Sequence, residues 1–571
     1  MFRRECGNLA LKMRSMKLLL GHCRSRGWLL PRELVRLNER RLWSRHCTAT
    51  SDFDGMNHLS DSSEFTDYLD SLTNYERLGL PDRAGIDSDE GLDLGRMRRL
   101  LDRLGNPHTK FKVVHIAGTK GKGSIAAYLA GILRAEGYSV GCYTSPHILS
   151  IRERMTLGNS GDPVSVEDLS NLFHRIKKKL DEAIQKEHGT LTHFEVLTAV
   201  AFLLFADKNV EIVIVEAGLG GARDATNVFD DSNLVASVIT TIGEEHLLAL
   251  GGSLESIALA KAGIIKPGRP VILGGPFLQH IKDILLHKAS LMGSPVISAY
   301  DSSIASLVRA IEVLQGRPCQ SSDLKIQVEA DSLFLELSNV KLRMLGIHQL
   351  QNACTAACTA LCLRNQGWKI SDNSMRVGLE HAYLPGRSQF LSDIEVEALG
   401  LPRMTMLLDG AHTQGSAKAL VDTVHLAFPG AHVALVVAMA DDKDHSAFAK
   451  ELLLGMKQLV VSFLTEVNIA GGKFRTASGS SLRDHWLETS MKLGINARLA
   501  ELDEFLVPSE DEALQISGQT RTVTVVAENS IGTCVIAANK TLQRMPGSKP
   551  KLTIVTGSLH AVSSVLALFQ R

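Results

Sequence analysis

The chain has no excess charge, no closely paired cysteines and no long apolar run, and each lack removes a class of function. Lysine plus arginine and aspartate plus glutamate number 62 each, so no global field draws the protein to nucleic acid or to a membrane. Nine cysteines are scattered along it (Cys6, Cys23, Cys47, Cys142, Cys319, Cys354, Cys358, Cys362 and Cys534). No CxxC pair occurs among them, which argues against a zinc site or a disulfide framework. Cys354, Cys358 and Cys362 recur at helical spacing, as small residues do where a helix packs into a core, and reduced thiols in a reducing compartment fit best. No uninterrupted apolar run reaches the ~18 residues of a membrane span. Repeats and low-complexity tracts are also missing. The 571 residues, 44% hydrophobic and 5% aromatic, suit an α/β enzyme of two or three domains.

The first 50 residues differ from the rest, with twelve lysines and arginines against Glu5, Glu33 and Glu39. Leucines lie between the cations, as in Lys17-Leu18-Leu19-Leu20. Arginine-rich, acid-poor and amphipathic, this segment has the composition of an organellar import signal. A mitochondrial destination is expected, with plastid second and cytosol third. Residues 51–64, rich in serine and aspartate, read as a linker.

From residue 65 on, helical patterns alternate with short β-branched runs. Lys112–Ala117, Val140–Tyr143, Glu211–Val215, Val235–Thr240 and Pro270–Leu273 read as strands, each followed by a turn and a helical pattern. That rhythm predicts a mostly parallel sheet covered on both faces. Residues 325–343 break it and read as a small antiparallel appendage. A helix over His348–Arg364 leads to a connector, Leu384-Pro385-Gly386-Arg387. Thr405–Leu408, Val433–Val437, Leu459–Ser462, Thr522–Ala527 and Leu552–Thr556 then outline a second α/β block. The expected division is 65–383, a phosphate-loop domain, 384–390, a linker, and 391–571, a smaller α/β domain, with substrates meeting between the two.

The stretch richest in chemistry is Val113-Val114-His115-Ile116-Ala117-Gly118-Thr119-Lys120-Gly121-Lys122-Gly123-Ser124. An apolar strand enters a glycine-rich turn, and a helical pattern follows at once. Strand, loop and helix in that order turn backbone N–H groups and a helix dipole toward a polyphosphate. Lys122 can then reach the β- and γ-phosphates, and Ser124 can support Mg²⁺. A solvated lysine on a plain turn would share the glycines but not this strand-to-helix context. A P-loop kinase or ATPase would use the loop in the same way. Glu216 ends the apolar run Ile212-Val213-Ile214-Val215, the edge at which open α/β sheets bind ligands, and an oxygen donor there suits Mg²⁺.

Further motifs follow in a fixed order. They are Tyr143-Thr144-Ser145-Pro146-His147, Arg152-Glu153-Arg154, Thr192-His193-Phe194-Glu195 and Glu216 through Asn227. Beyond lie Gly243-Glu244-Glu245-His246, Lys261-Ala262-Gly263-Ile264, His348 through Asn352, Pro385-Gly386-Arg387, Leu408 through His412 and Val555 through His560. Taken together they resemble the folylpolyglutamate/dihydrofolate synthase family, relatives of the Mur peptide ligases, over nearly all of residues 65–571. The resemblance implies ligation of L-glutamate to 7,8-dihydropteroate with ATP, or else extension of a folate γ-glutamyl chain. It assigns ATP to Gly118, Thr119, Lys120, Gly121, Lys122, Gly123, Ser124, Asn352, Arg387 and Asp409. Two Mg²⁺ ions fall to Ser145 and Glu216 and to His246, and K⁺ is a further cation of the family. Lys122, Lys261 and His246 take catalytic roles, with Lys261 carbamylated. Asp93, Leu94, Gly95, Thr192, His193, Phe194, Glu195 and Arg223 fall at pterin-contacting positions. Small molecules are the expected partners and a monomer the expected state. The chain departs from the family pattern at Glu245, where Asp is usual, at Ala260, where Glu is common, and at Thr413, which follows His412 where Asn is frequent.

Overall fold

The computed structural model describes residues 63–570 apart from 80, 82–83, 86–91, 329–332, 402–403, 471, 473–474 and 507–521. The basic leader and most of the linker that follows it lie outside the described residues.

The sequence expectation of a mostly parallel sheet is met. Strands β1 (Lys112–Ala117), β2 (Val140–Tyr143), β3 (Met155–Leu157), β4 (Asp162–Pro163), β5 (Ile212–Glu216), β6 (Leu234–Ile239), β7 (Val271–Leu273) and β8 (Val296–Ser298) form one eight-stranded sheet. Its order is β4-β3-β2-β5-β1-β6-β7-β8, parallel except for β3, which runs antiparallel to both β2 and β4. Side chains of β1 alternate between faces. Val114 and Ile116 pack with the helices Lys122–Glu136 and Ile347–Asn365, while Val113 packs with the helices Val166–Lys186 and His193–Asp207. Both faces are thus dry, which is why the strands read as unbroken apolar runs. Each such buried aliphatic side chain contributes roughly 1.5–3 kcal/mol.

The antiparallel appendage is larger than the sequence reading of residues 325–343. Three strands build it: β9 (Ile304–Leu314), β10 (Arg317–Val328) and β11 (Leu333–Leu342). β9 is an edge strand with most side chains exposed, so it carries no apolar alternation to betray it.

A seven-stranded sheet follows, in the order β12-β13-β18-β14-β15-β17-β16. Its strands are β12 (Gln389–Phe390), β13 (Thr405–Leu408), β14 (His432–Val437), β15 (Leu459–Thr465), β16 (Asn496–Leu499), β17 (Thr522–Glu528) and β18 (Lys551–Thr556). Only the short β12 runs antiparallel to its neighbour. Among the described residues no helix is long and apolar enough to cross a membrane.

Candidate active site

Four neighbouring strands of the first sheet, β2, β5, β1 and β6, end side by side. The segments leaving them begin at Thr144, Ala217, Gly118 and Thr240, with Glu216 the last residue of β5, so the motifs are crowded onto one edge. In the second sheet the neighbours β13, β18 and β14 deliver Asp409, the Gly557–His560 turn and the Ala438–Lys443 loop. These two edges wall a single cleft of about 2240 Å³.

The phosphate loop is held open by its neighbours. Thr119 N–H donates to Thr241 O at 2.7 Å, and Thr240 Oγ1 donates to Lys120 O at 2.6 Å. Gly121, at φ +89°, begins the helix Lys122–Glu136, and no side chain caps that end. The first helical N–H groups therefore remain available to an anion. A Cβ on Gly121 would lie 2.6 Å from Asn352 Oδ1, so a larger residue would displace either the loop or Asn352. Asn352 Nδ2 donates to Gln349 Oε1 at 3.1 Å, and Gln349 Nε2 to Ser124 Oγ at 3.3 Å. Gln349, not singled out by the sequence reading, thus ties the Ile347–Asn365 helix to the loop.

Lys122 Nζ lies 3.6 Å from Glu216 Oε1 and donates to Thr119 O at 3.4 Å. Glu216 is buried, and desolvation raises its pKa although Lys122 draws it back. Ser145 N–H donates to its Oε2 at 3.2 Å. One buried carboxylate beside a hydroxyl residue and a phosphate loop is a donor set that suits Mg²⁺, which binds a few protein oxygens together with nucleotide phosphates. His246, at φ +54°, projects into the same cleft, and desolvation lowers its pKa, favouring the neutral imidazole. Among the described residues no cluster of three or more His, Cys, Asp or Glu side chains forms a metal cage by itself.

Lys261 lies behind the loop, not on an exposed helix face. It is 5% exposed, and its Nζ donates to Gly118 O at 2.9 Å. Burial and, secondarily, the Lys122 charge lower its pKa to about 7.

Arg387 and Asp409 come from the other side of the cleft. Asp409 accepts from Ser388 N–H at 2.8 Å and Ala411 N–H at 2.9 Å, which fixes the linker to the end of β13. Glu245 spans the two sides: it pairs with Lys120 and lies 3.8 Å from His412 Nε2. Burial lowers the His412 pKa to about 4.

The pterin-position residues divide. Asp93 caps the helix Leu94–Arg103 by accepting from Gly95 and Arg96 N–H, and Leu94 packs on the core. Thr192 and Glu195 form a capping box on the helix His193–Asp207, while Glu195 also pairs with Arg96 at 2.9 Å. His193 is buried at that helix start, and its N–H donates to Thr73 O. Phe194 is half-buried on the cleft wall against Gly218, so it serves both core and cleft. Arg223 Nε donates to Leu92 O at 2.9 Å and borders the cleft. Asp93, Thr192, Phe194, Glu195 and Arg223 line the cleft; Leu94, Gly95, His193, Gly118 and Lys261 stand behind it.

Arg154 and Asp224 are among the charged residues beyond the predicted site that also line it. Arg154, fully buried, clasps Glu76 through both oxygens at 2.7 and 2.6 Å, holding that carboxyl down at about pKa 2 against its burial. Asp224 accepts from Leu219 N–H at 2.6 Å, and burial raises its pKa. Both stand inside the motifs quoted above, but only the fold turns them inward.

Residues 116–360 match the Mur ligase middle domain. The chain is 33% identical over 361 residues to a dihydrofolate synthase/folylpolyglutamate synthase of Bacillus subtilis, covering 63% of this chain and 78% of that protein. A dihydrofolate synthetase of Saccharomyces cerevisiae is 29% identical over 66% of this chain and 82% of its own. Among solved structures, folylpolyglutamate synthase of Mycobacterium tuberculosis complexed with ADP and AMPPCP superposes with a TM-score of 0.68 at 25% identity, over 91% of this chain and 99% of that one.

Proposed function

We propose that this chain, which belongs to the dihydrofolate synthase/folylpolyglutamate synthase family of ATP-dependent ligases, joins L-glutamate to 7,8-dihydropteroate. The observation that carries the reading is the phosphate loop, with Lys122 against the buried Glu216, facing Arg387 and Asp409 across one cleft. Lys122 and the helix N–H groups neutralise the triphosphate while a pteroate carboxylate oxygen attacks the γ-phosphorus. That P–O bond forms as the bond to ADP breaks, leaving an acyl phosphate. The glutamate nitrogen then attacks the acyl carbon, phosphate departs, and the nitrogen loses a proton to leave an amide. Arg387 on the linker meets developing phosphate charge when the domains close. Mg²⁺ bound at Ser145, Glu216 and His246 would supply further charge neutralisation at the phosphates. No covalent enzyme nucleophile takes part; orientation and charge do the catalysis. ADP release that depends on added glutamate, with phosphate as co-product, separates a ligase from a kinase or ATPase.

The choice of acceptor favours dihydropteroate. The motif set resembles that of plant mitochondrial dihydrofolate synthetase, and the Asp93 and Arg223 segments frame one wall of the cleft. Relatives carry both activity names, so chain extension of folates is the competing reading. The two acceptors set the reacting carboxylate at different distances from the pterin, and a misplacement of ~1 Å costs about a hundredfold in rate. With ATP, Mg²⁺ and glutamate, dihydropteroate is expected to be consumed and tetrahydrofolate used poorly. Efficient extension of tetrahydrofolate with dihydropteroate inert would reverse the assignment, and equal use would make the enzyme bifunctional.

Residues 1–50 act as a mitochondrial import signal in this reading, supported by their arginine-rich, acid-poor composition. Removing them is expected to leave turnover in vitro unchanged. A fluorescent reporter fused to residues 1–60 is expected in mitochondria; diffuse cytosolic signal would refute import, and plastid signal would correct the compartment.

A further inference from the structure

Outside the cleft, a second and smaller crevice of about 170 Å³ lies at the hinge between the two sheets. Three separate pieces of chain wall it: the β9–β10 turn with the start of β10, Arg343 just after β11, and the linker from Tyr383 to Ser392. Its lining contains three arginines, Arg317, Arg343 and Arg387, and no aspartate or glutamate. The three are not equivalent. Arg317 is held at 2.6 Å by Glu395, which stands just outside the lining. Arg387 borders both spaces, and its Nη1 lies 2.8 Å from where a Cβ on Gly410 would sit, so its charge belongs to the cleft. Arg343 is half-buried and, among the described residues, makes no ion pair and no side-chain hydrogen bond. With no protein acceptor, its planar fork of donors is left to water or to a bound oxyanion, whose paired oxygens it matches. Of the hydroxyl residues in the lining, Ser388 donates to Leu345 O at 3.1 Å and Ser392 to Glu395 at 2.7 Å, while Tyr383 completes the polar lining.

We propose that this hinge crevice binds a small oxyanion, phosphate or carboxylate, with Arg343 as its principal contact. The occupant ties the linker to the segment just after β11, and so restrains the segment about which the two sheets would move relative to each other. The site stands apart from the activity proposed above, since it needs neither ligase chemistry nor a particular acceptor.

The test uses the full chain with its cleft filled by AMPPCP and Mg²⁺, so that added anion cannot enter the phosphate loop. Calorimetric titration with inorganic phosphate, and separately with sodium acetate, is compared with sodium chloride at matched ionic strength. Saturable binding of one or both is expected. Phosphate alone would identify a phosphate site and acetate alone a carboxylate site. Arg343→Ala should weaken that binding about tenfold or more, as loss of a charge-assisted contact does. Arg343→Lys, which keeps the charge but not the fork, should fall between, and it preserves the test if the alanine variant folds poorly. Amide exchange across residues 383–392 should slow on adding the anion to wild type and not to Arg343→Ala. Absence of saturable binding, or equal binding by both variants and wild type, would overturn the site. Binding without slowed exchange would overturn the restraint on the linker.

Discussion

Lys122→Ala is expected to lower turnover by more than a hundredfold while the chain still folds. The lysine is the cation nearest the buried Glu216, at 3.6 Å, and it stands in the loop that would receive the triphosphate. Losing a charged contact that strengthens as phosphate charge develops costs at least ~3 kcal/mol in the transition state. The same change has a second, pH-dependent consequence. Burial already raises the Glu216 pKa, and Lys122 is the largest influence pulling it back. Without Lys122 the folded protein holds the Glu216 proton to higher pH, whereas the unfolded chain releases it near the usual carboxylate value. Between those two values the folded state binds more protons, so stability falls as pH rises. Melting temperature of the nucleotide-free variant should therefore match wild type most closely near pH 5 and fall behind it at pH 8. Near-normal turnover would remove the loop from the mechanism, and a pH-independent difference in melting would remove Glu216 from its partnership with Lys122.

How much of this was legible in the sequence depends on how local the cause is. Lys112–Ala117 and Thr405–Leu408 are legible to the residue because both faces of their sheets are dry and apolar residues dominate, with His115 the one polar residue inside the first run. β9 escapes the sequence reading because apolar residues such as Leu307 and Val313 stand at its exposed positions, so no two-residue alternation marks a strand. The Thr192–Glu195 stretch carried two signals at once, since a threonine followed three residues later by glutamate also opens a helix. The structure shows the cap directly; the same side chains also border the cleft. Contacts between distant segments had no local signal. Glu245 facing His412, and Gln349 reaching Ser124 across 225 residues of sequence, follow only from how the elements pack. Lys261 is the sharpest case. Its helix looked ordinary, yet the fold buries the side chain against Gly118 O.

That burial shapes the last expected result. Lys261→Ala and Lys261→Arg should both lower turnover by about a hundredfold or more, the scale for losing one polar group aimed at developing charge. A lysine whose pKa is lowered to about 7 is largely the free amine above that pH, and a free amine can add CO₂ to form a carbamate, turning a cation into an oxygen-bearing anion. Such an anion behind the phosphate loop would attract Mg²⁺, while an ammonium there would repel it. Arginine keeps its charge and cannot form a carbamate, so conserving the cation should not conserve activity. Alanine leaves a small space beside Gly118 O, and short carboxylates such as formate should restore part of the alanine variant's turnover and none of the arginine variant's. For wild type stripped of CO₂, activity should recover on adding bicarbonate, faster above pH 7 than below it because only the neutral amine reacts. An active arginine variant, or recovery indifferent to bicarbonate, would leave Lys261 as a buried cation that simply holds the loop carbonyl.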